Sequence, residues 1–352
     1  MNYYQRMVKK YHDLQNKAEV NILAVESSCD ETSISVVRNG RDVLSNIVAS
    51  QIDIHRRFGG VVPEVASRNH ITAISNIFEE SLAAAGITRD QIDAVAVTYG
   101  AGLIGALLVG VNFAKGLAYS LDVPLIAVSH VHGHIAANYI SHQSLTPPFV
   151  CLMVSGGHTA LLTVSDYNEM KLLGTTVDDA AGEAFDKVAR VLDLPYPGGP
   201  EIDKLAQSGE KKFNFTVSKS LAGTPNFSFS GIKTEVINTV HHIDQKGQAI
   251  PKADIARSFE ECVTDELCHK AISACRHTGI NKLVVAGGVG ANSMLKEKLT
   301  RACNENDIAF FAPVLKYCTD NSAMIGSMAF YMMKDGLGLA NLDLTAKANV
   351  DI

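Results

Sequence analysis

At 352 residues the chain is long enough for two packed lobes with a sizeable core, and its composition (47% hydrophobic, 19% charged, no Trp) is ordinary for a globular α/β protein. A formal net charge of −6 excludes a protein that grips nucleic acid over its whole surface. A nucleic-acid substrate would need a basic partner or a local basic patch, for which Arg56, Arg57, Lys211, Lys212, Lys219 and Lys233 are candidates.

The seven cysteines are scattered, with no CxxC pair, which points to reduced thiols in the cytoplasm rather than a disulfide framework. Residues 1–20 hold no apolar signal core but place Tyr4, Val8, Tyr11 and Ala18 at helical spacing among basic residues, so an appended helix is expected there. Ile22–Val37 reads as a strand, a small polar turn carrying Asp30 and Glu31, and a second strand. The apolar run Ala101–Val111 imitates a membrane span but is too short and is followed by Asn112 and Lys115; a core helix is expected, and no membrane.

Pro124–Val128 reads as a strand that ends, and Gly133–Ile140 as a weak helix continuing from it. On a helix His130 and His134 share one face, and two imidazoles so placed can grip a metal that a distant carboxylate, Asp320, completes. On a strand His130, His132 and His134 would all face one way. The glutamate of HExxH is absent, so a zinc protease lacks its general base.

Phe149–Val164 repeats the plan of the first hairpin, with Ser155-Gly-Gly-His158 at its turn. Two such hairpins, each followed by alternating helices and strands, suggest two similar α/β lobes facing a cleft, with turn amides approaching a phosphate. In Val177–Leu192, Asp178 and Asp179 suit a helix N-terminus, and Glu183, Asp186 and Lys187 share a face. Tyr196–Asp203 is a rigid loop whose glycines expose amides. Leu283–Leu299 reads as a buried strand, a glycine turn and a helix start, a place for an anion or polar ligand.

Taken together, Glu26–Thr32, Phe58–His70, Ser129–His134, Val154–Thr159, Asp178–Lys187, Tyr196–Pro200, Phe227–Lys233, Ala286–Val289 and Cys318–Asn321 resemble the bacterial tRNA N6-adenosine threonylcarbamoyltransferases, a family once described as glycoproteases. The resemblance runs from about Asn21 to about Met333. It implies the two-lobed fold of actin, Hsp70 ATPase domains and sugar kinases. The expected division is an N-terminal extension over 1–20, lobe I over 21–130 plus about 320–340, lobe II over 131–319, and a tail over 341–352.

Carried over by position, His130, His134 and Asp320 would hold one divalent metal per chain, Fe(2+) in preference to Zn(2+). Met153, Val154, Ser155, Gly156, Gly157, Asp186, Gly199, Asp203 and Asn292 would contact an adenylate. Asp30, Glu31 and His158 are candidates for proton transfer or orientation. The resemblance implies threonylcarbamoyl-AMP and tRNA as substrates, and as partners a catalytically inactive paralogue and a small ATPase. Two positions depart from the family pattern: Ala101 stands where Pro is expected, and Gly290 where Ser is, which leaves one side-chain contact to the nucleotide unprovided.

Two rivals share the fold, a sugar- or acetate-kinase-like phosphotransferase and an actin- or Hsp70-like nucleotide switch. The histidine pair argues against the first, since such kinases use magnesium with carboxylates and water.

Overall fold

The computed structural model describes residues 2–350; the side chain of Lys219 lies outside the described set. The chain divides into two compact units, residues up to Thr146 with Thr319 onward, and Pro147–Cys318.

Unit 1 contains α1 (Tyr3–Gln15), β1 (Asn21–Glu26), β2 (Glu31–Arg38), β3 (Asp42–Ser50), α2 (Ile52–Arg56), α3 (Pro63–Ala85), β4 (Ala94–Gly100), α4 (Ile104–Leu121), β5 (Leu125–Ser129) and α5 (His130–Ser141). Unit 2 contains β6 (Phe149–Val154), β7 (Thr159–Asp166), β8 (Glu169–Thr175), α6 (Ala181–Val191), α7 (Gly198–Ala206), α8 (Ser230–Gln245), α9 (Lys252–Thr278), β9 (Lys282–Ala286), α10 (Ser293–Asn304) and β10 (Ala309–Phe311). The chain then returns to unit 1 as α11 (Ser322–Lys334) and β11 (Leu339–Ala340).

The duplication expected from the two hairpins extends to the sheets. Unit 1 has the strand order β11-β5-β4-β1-β2-β3, unit 2 the order β10-β9-β6-β7-β8. In each, the first strand pairs antiparallel with the next in sequence and parallel with the strand after the helical excursion, β4 or β9. The paired strands β1 and β6 are buried along almost their whole length, which explains their continuous apolar sequence in place of alternation.

One face of the unit 1 sheet (Leu23, Val25, Ile34, Val95, Val97) packs on Ile74, Ile77 and Phe78 of α3 and Val111, Ala114 and Ala118 of α4. Helix α4 is long and apolar enough to cross a membrane, yet one stripe of it lines this core while Asn112 and Lys115 lie on the rest. In unit 2, Val150, Leu152 and Leu161 pack with Phe185, Phe227, Phe229 and Phe259.

Three expectations are corrected. The break placed after residue 130 falls instead after Thr146. The reason is α5, whose Ile135, Ala136, Ala137 and Tyr139 are fully buried, and which lies so close to α11 that a Cβ on Gly133 would stand 2.6 Å from Ile325 Cδ1. The N-terminal segment is a helix as expected, but it belongs to unit 1 rather than forming a separate extension. Its buried stripe is Tyr3, Met7, Tyr11 and Leu14, whereas Tyr4 and Val8 are exposed, because the docked face begins one residue earlier than the spacing suggested. Tyr3 Oη donates to Val123 O at 2.6 Å, and Arg6 and Lys10 bind the Asp122 carboxylate at 2.9 and 2.7 Å. The tail is also tied in, through Lys347 N to Tyr99 O at 2.8 Å and Gly102 N to Ala348 O at 3.0 Å.

Candidate metal centre and nucleotide-binding turns

In unit 1, β5 ends at Ser129 and α5 begins at His130, so His130 and His134 lie one turn apart on its first turns. Their ring centroids are 4.5 Å apart. Asp320 is delivered by the start of α11, where Asn321 Oδ1 accepts from Met324 N at 3.2 Å and Ser322 N donates to Ser33 Oγ at 2.9 Å. Asp320 Oδ1 stands 3.4 Å from His130 Nε2 and 3.2 Å from His134 Nε2. Donors held about 2.1 Å from one ion in tetrahedral or octahedral array are themselves roughly 3.0–3.4 Å apart, so the spacing fits a metal. His132 is not part of the group, which agrees with the helical and not the strand reading.

Electrostatics points the same way. Burial pulls the His130 pKa down, but the charges of Asp320 and Glu26 and their hydrogen bonds raise it well above the usual histidine range. His134 is lowered, by burial and then by the charge of His130. Burial would raise Asp320, yet the charge and hydrogen bond of His130, with those of His134, hold it far below the ordinary carboxylate value. The buried Glu26 and the part-buried Asp320 thus draw in one positive charge, a proton or a cation. His134 Nδ1 has no hydrogen-bond partner among the described residues, and Nε2 faces the Asp320 carboxylate. A soft-to-borderline divalent ion suits this imidazole–carboxylate set.

Glu26, which was not singled out as a site residue, completes the arrangement. It is fully buried at the end of β1, and its Oε2 lies 3.1 Å from His130 Nδ1 and accepts from Thr98 Oγ1 at 2.5 Å. Its Oε1 accepts from Ser28 N at 2.5 Å. A carboxylate on the far ring nitrogen fixes the tautomer that leaves Nε2 free to bind. A fully buried glutamate ending a strand was the available signal.

The acidic turn follows directly. Asp30 is buried; its carbonyl accepts from Gln51 N at 3.0 Å. Glu31 Oε1 accepts from Ser50 Oγ at 2.9 Å. Burial, and then the charges of Asp30 and Asp320, push the Glu31 carboxyl up to about 9, so it holds its proton at neutral pH unless a nearby positive charge offsets Asp320. The structure therefore gathers Glu26, Asp30, Glu31, His130, His134 and Asp320 in unit 1. His158 belongs to unit 2.

There the β6–β7 turn is closed by Ser155 N to His158 O at 2.8 Å and His158 N to Ser155 Oγ at 3.1 Å. Gly156 and Gly157 at its tip are exposed, and a Cβ on either would meet nothing within 4 Å. The fold itself does not demand glycine there; a closely approaching ligand would. At Gly182 the case is opposite, since a Cβ would lie 2.6 Å from Ser155 O, so the start of α6 braces the turn. Met153 and Val154 are buried in β6 leading to it.

The polar residues behind the turn form a chain of ties. Asp186 Oδ1 accepts from Gly198 N at 2.7 Å, fixing the start of α7 beside α6. Asp203 of α7 accepts from Ser293 N at 2.9 Å and from Ser293 Oγ. Asn292 caps α10 through Leu295 N at 2.8 Å and donates to Glu260 of α9 at 2.5 Å. Asn292 uses one donor and one acceptor position of its amide, and it retains hydrogen-bonding capacity, as do the carboxylates of Asp186 and Asp203. Gly199 lies in the first turn of α7, and a side chain there would enter open space. Glu260 was missed in the sequence; burial raises it to about 7. One expectation is corrected: Asp178 caps α8, accepting from Phe229 N at 2.8 Å and Ser230 N at 3.3 Å, rather than α6. Asp179 pairs with Lys187 and Lys233 at 3.0 and 2.6 Å.

Known proteins agree with this geometry. The solved structures of full-length HypF in its phosphate- and nucleotide-bound form (TM-score 0.62, 16% identity, covering 90% of this chain and 46% of that one) and of (R)-2-hydroxyglutaryl-CoA dehydratase component A from Acidaminococcus fermentans (TM-score 0.54, 15% identity, covering 90% and 98%) share the duplicated fold. That fold is the one common to actin, Hsp70 and sugar kinases. A tRNA N6-adenosine threonylcarbamoyltransferase of Clostridium perfringens is 54% identical over 330 residues, covering 94% of this chain and 97% of that one. One from Clostridium botulinum is 52% identical over 337 residues, covering 96% and 99%. Residues 42–327 match the family profile described as tRNA N6-adenosine threonylcarbamoyltransferase. On that match and those identities, the chain belongs to the tRNA N6-adenosine threonylcarbamoyltransferase family and is a transferase.

Proposed function

We propose that the chain transfers the threonylcarbamoyl group of threonylcarbamoyl-AMP to N6 of adenosine 37, the nucleotide just 3′ of the anticodon, in tRNAs that read ANN codons. The observation that carries this reading is the His130–His134–Asp320 group set against the Asp30–Glu31 turn in a chain 54% identical to a named transferase of this kind. In the reaction the N6 lone pair bonds to the carbamoyl carbon, the bond from that carbon to the phosphate oxygen breaks, AMP leaves with the electron pair, and the amine loses a proton. N6 is conjugated into its ring and nucleophilically poor, so positioning and late proton acceptance decide the rate.

His130, His134 and Asp320 hold one divalent ion, Fe(2+) in preference to Zn(2+), while Glu26 orients His130. Bound there, the ion supplies Lewis-acid stabilisation of charge on phosphate or carbamate oxygens. Asp30 and Glu31 share the task of taking the amine proton. Glu31 is poised for it once positive charge beside Asp320 brings its pKa down from about 9. In unit 2 the Gly156 and Gly157 amides receive the adenylate phosphate, Asp186, Gly199 and Asp203 its ribose, and His158 orients the carbamoyl end. The scattered cysteines without a CxxC pair support action in the cytoplasm, and a net charge of −6 supports a catalytically inactive paralogue and a small ATPase that supplement RNA binding. The test is AMP release from threonylcarbamoyl-AMP: it should require tRNA. Release that ignores tRNA, or phosphoryl transfer from ATP, would replace this reading with a kinase-like one.

A further inference from the structure

The Phe58–His70 segment has no part in the chemistry above, yet its first residues form a distinctive surface. Of the basic residues that could supply a patch, Lys211 is paired with Glu261 at 3.4 Å, Lys212 with Asp254 at 2.9 Å, and Lys233 with Asp179 at 2.6 Å. Arg56 pairs with the highly exposed Asp53, at 3.1 Å. Arg57 has no ion-pair partner among the described residues. Phe58 comes next in the chain, with 58% of its surface in solvent.

A single exposed aromatic is ordinary; what distinguishes this one is its footing. Phe58 N donates to His55 O at 3.0 Å, Gly59 N to Arg56 O at 3.1 Å and Gly60 N to His55 O at 3.3 Å, and His55 is fully buried. Val62 N closes the loop on His55 Nδ1 at 3.3 Å. At the other end of α2, Ser50 Oγ accepts from Ile52 N at 3.3 Å while donating to Glu31, and Gln51 N binds the Asp30 carbonyl. The loop is thus wired to the acidic turn through one short helix, which sets Phe58 roughly 10 Å from it.

We propose that Arg57 and Phe58 form a stacking platform for an unpaired base of the RNA substrate. Phe58 would take the face of a loop base next to the reacting adenosine and Arg57 the adjoining phosphate. The inference rests on the RNA-modifying reading above. Its chemistry is that of single-stranded RNA recognition, in which splayed loop bases stack on aromatic or guanidinium planes and cations track the backbone. What sets Arg57 apart from the other cations is that it adjoins an exposed ring on a backbone loop bonded to the acidic turn. A base held here, by a helix bonded to Asp30 and Glu31, would fix its neighbour's amine relative to those carboxyls.

The probe is a hairpin RNA carrying an anticodon loop, with 2-aminopurine in place of the loop bases flanking the target adenosine, titrated into the metal-loaded full chain. Wild-type protein should quench the fluorophore at one flanking position, because stacking on a ring quenches it. Phe58→Leu, which keeps bulk without a π face, should lose the quenching and about tenfold or more in affinity, while Phe58→Tyr restores both. Arg57→Ala should reduce the slope of log affinity against log salt by about one. Metal content and adenylate affinity should be unchanged in all three variants. If Phe58→Leu quenches and binds as the wild type does, or if the wild type transfers to tRNA without quenching at either position, the platform is refuted. If wild-type protein, supplied with the paralogue and the ATPase, transfers nothing to any tRNA, the functional reading itself falls.

Discussion

Glu26→Gln is the sharpest test of the metal centre, because it changes a charge and almost no volume at a residue that touches no substrate. The wild-type carboxylate accepts three hydrogen bonds, from Ser28 N, Thr98 Oγ1 and the His130 ring, with no solvent access. Thr98 and His130 share Oε2 and Ser28 N uses Oε1, so the amide nitrogen displaces the acceptor either of the first two or of Ser28 N. Removing such an outer partner costs about 10–100-fold in metal affinity, or about 1.4–2.7 kcal/mol. Glu26→Ala adds an unpaired buried imidazole and should destabilise the fold by about 3–5 kcal/mol. Calorimetric titration of metal into apoprotein reads the first effect, and thermal unfolding the second. His132→Ala should retain metal, whereas His130→Ala and Asp320→Ala should each lose most of it. If Glu26→Gln binds metal within twofold of wild type, or His132→Ala proves the worst variant, the assignment of the helix face and its support is wrong.

Arg41 donates to the carbonyls of Tyr139, His142, Gln143 and Leu145 at 2.8–3.2 Å, stacks on Tyr139 and Tyr331, and so closes the C-terminal end of α5. Arg41→Lys should lower Tm by on the order of 10 °C, measured by calorimetry, because an ammonium cannot reproduce the planar fork. Glu260 titrates at about 7 in the fold against an ordinary 4.5. Below about 4.5 both folded and unfolded states hold its proton, and between 4.5 and 7 only the folded state does. Its contribution to stability therefore falls as pH rises through that window, by at most about 3 kcal/mol. Urea midpoints across that range should decline less in Glu260→Gln than in wild type. Glu31→Gln should leave adenylate affinity within a few-fold and slow transfer by about 10²–10⁴, while Gly157→Val, whose side chain enters open space, should weaken adenylate binding with little change in stability. Single-turnover transfer beside calorimetry separates the two, and Glu31→Gln transferring within tenfold of wild type would remove Glu31 as a base.

Much of the scaffold was legible because its signals are local. Apolar runs broken by Ser-Ser-Cys-Asp and Ser-Gly-Gly-His mark the two hairpins, and HxxxH after a strand marks the start of α5. Glu26 stayed hidden because its meaning depends on Thr98 and His130, which topology brings to it from β4 and α5. The roles of Asp186 and Asp203 as ties between helices were hidden likewise, since Gly198 and Ser293 lie a dozen and ninety residues away. The unit boundary was misplaced for the same reason: α5 follows its strand in sequence, but what it packs on is α11, which arrives at the far end of the chain.

That late arrival has a consequence for synthesis on the ribosome. When α5 emerges, the face of it that packs on α11 stays uncovered until residues 147–318 have been translated and α11 follows. At the usual 5–20 residues per second this leaves the α5 surface bare for roughly 10–35 s, an interval in which a nascent chain is open to chaperones and to misassembly. The proposed metal ligands are split by the same interval, two made early and one late. An interrupted chain can thus carry both histidines, and a fully folded second unit, without being able to close the site; metal retention would report that translation reached α11.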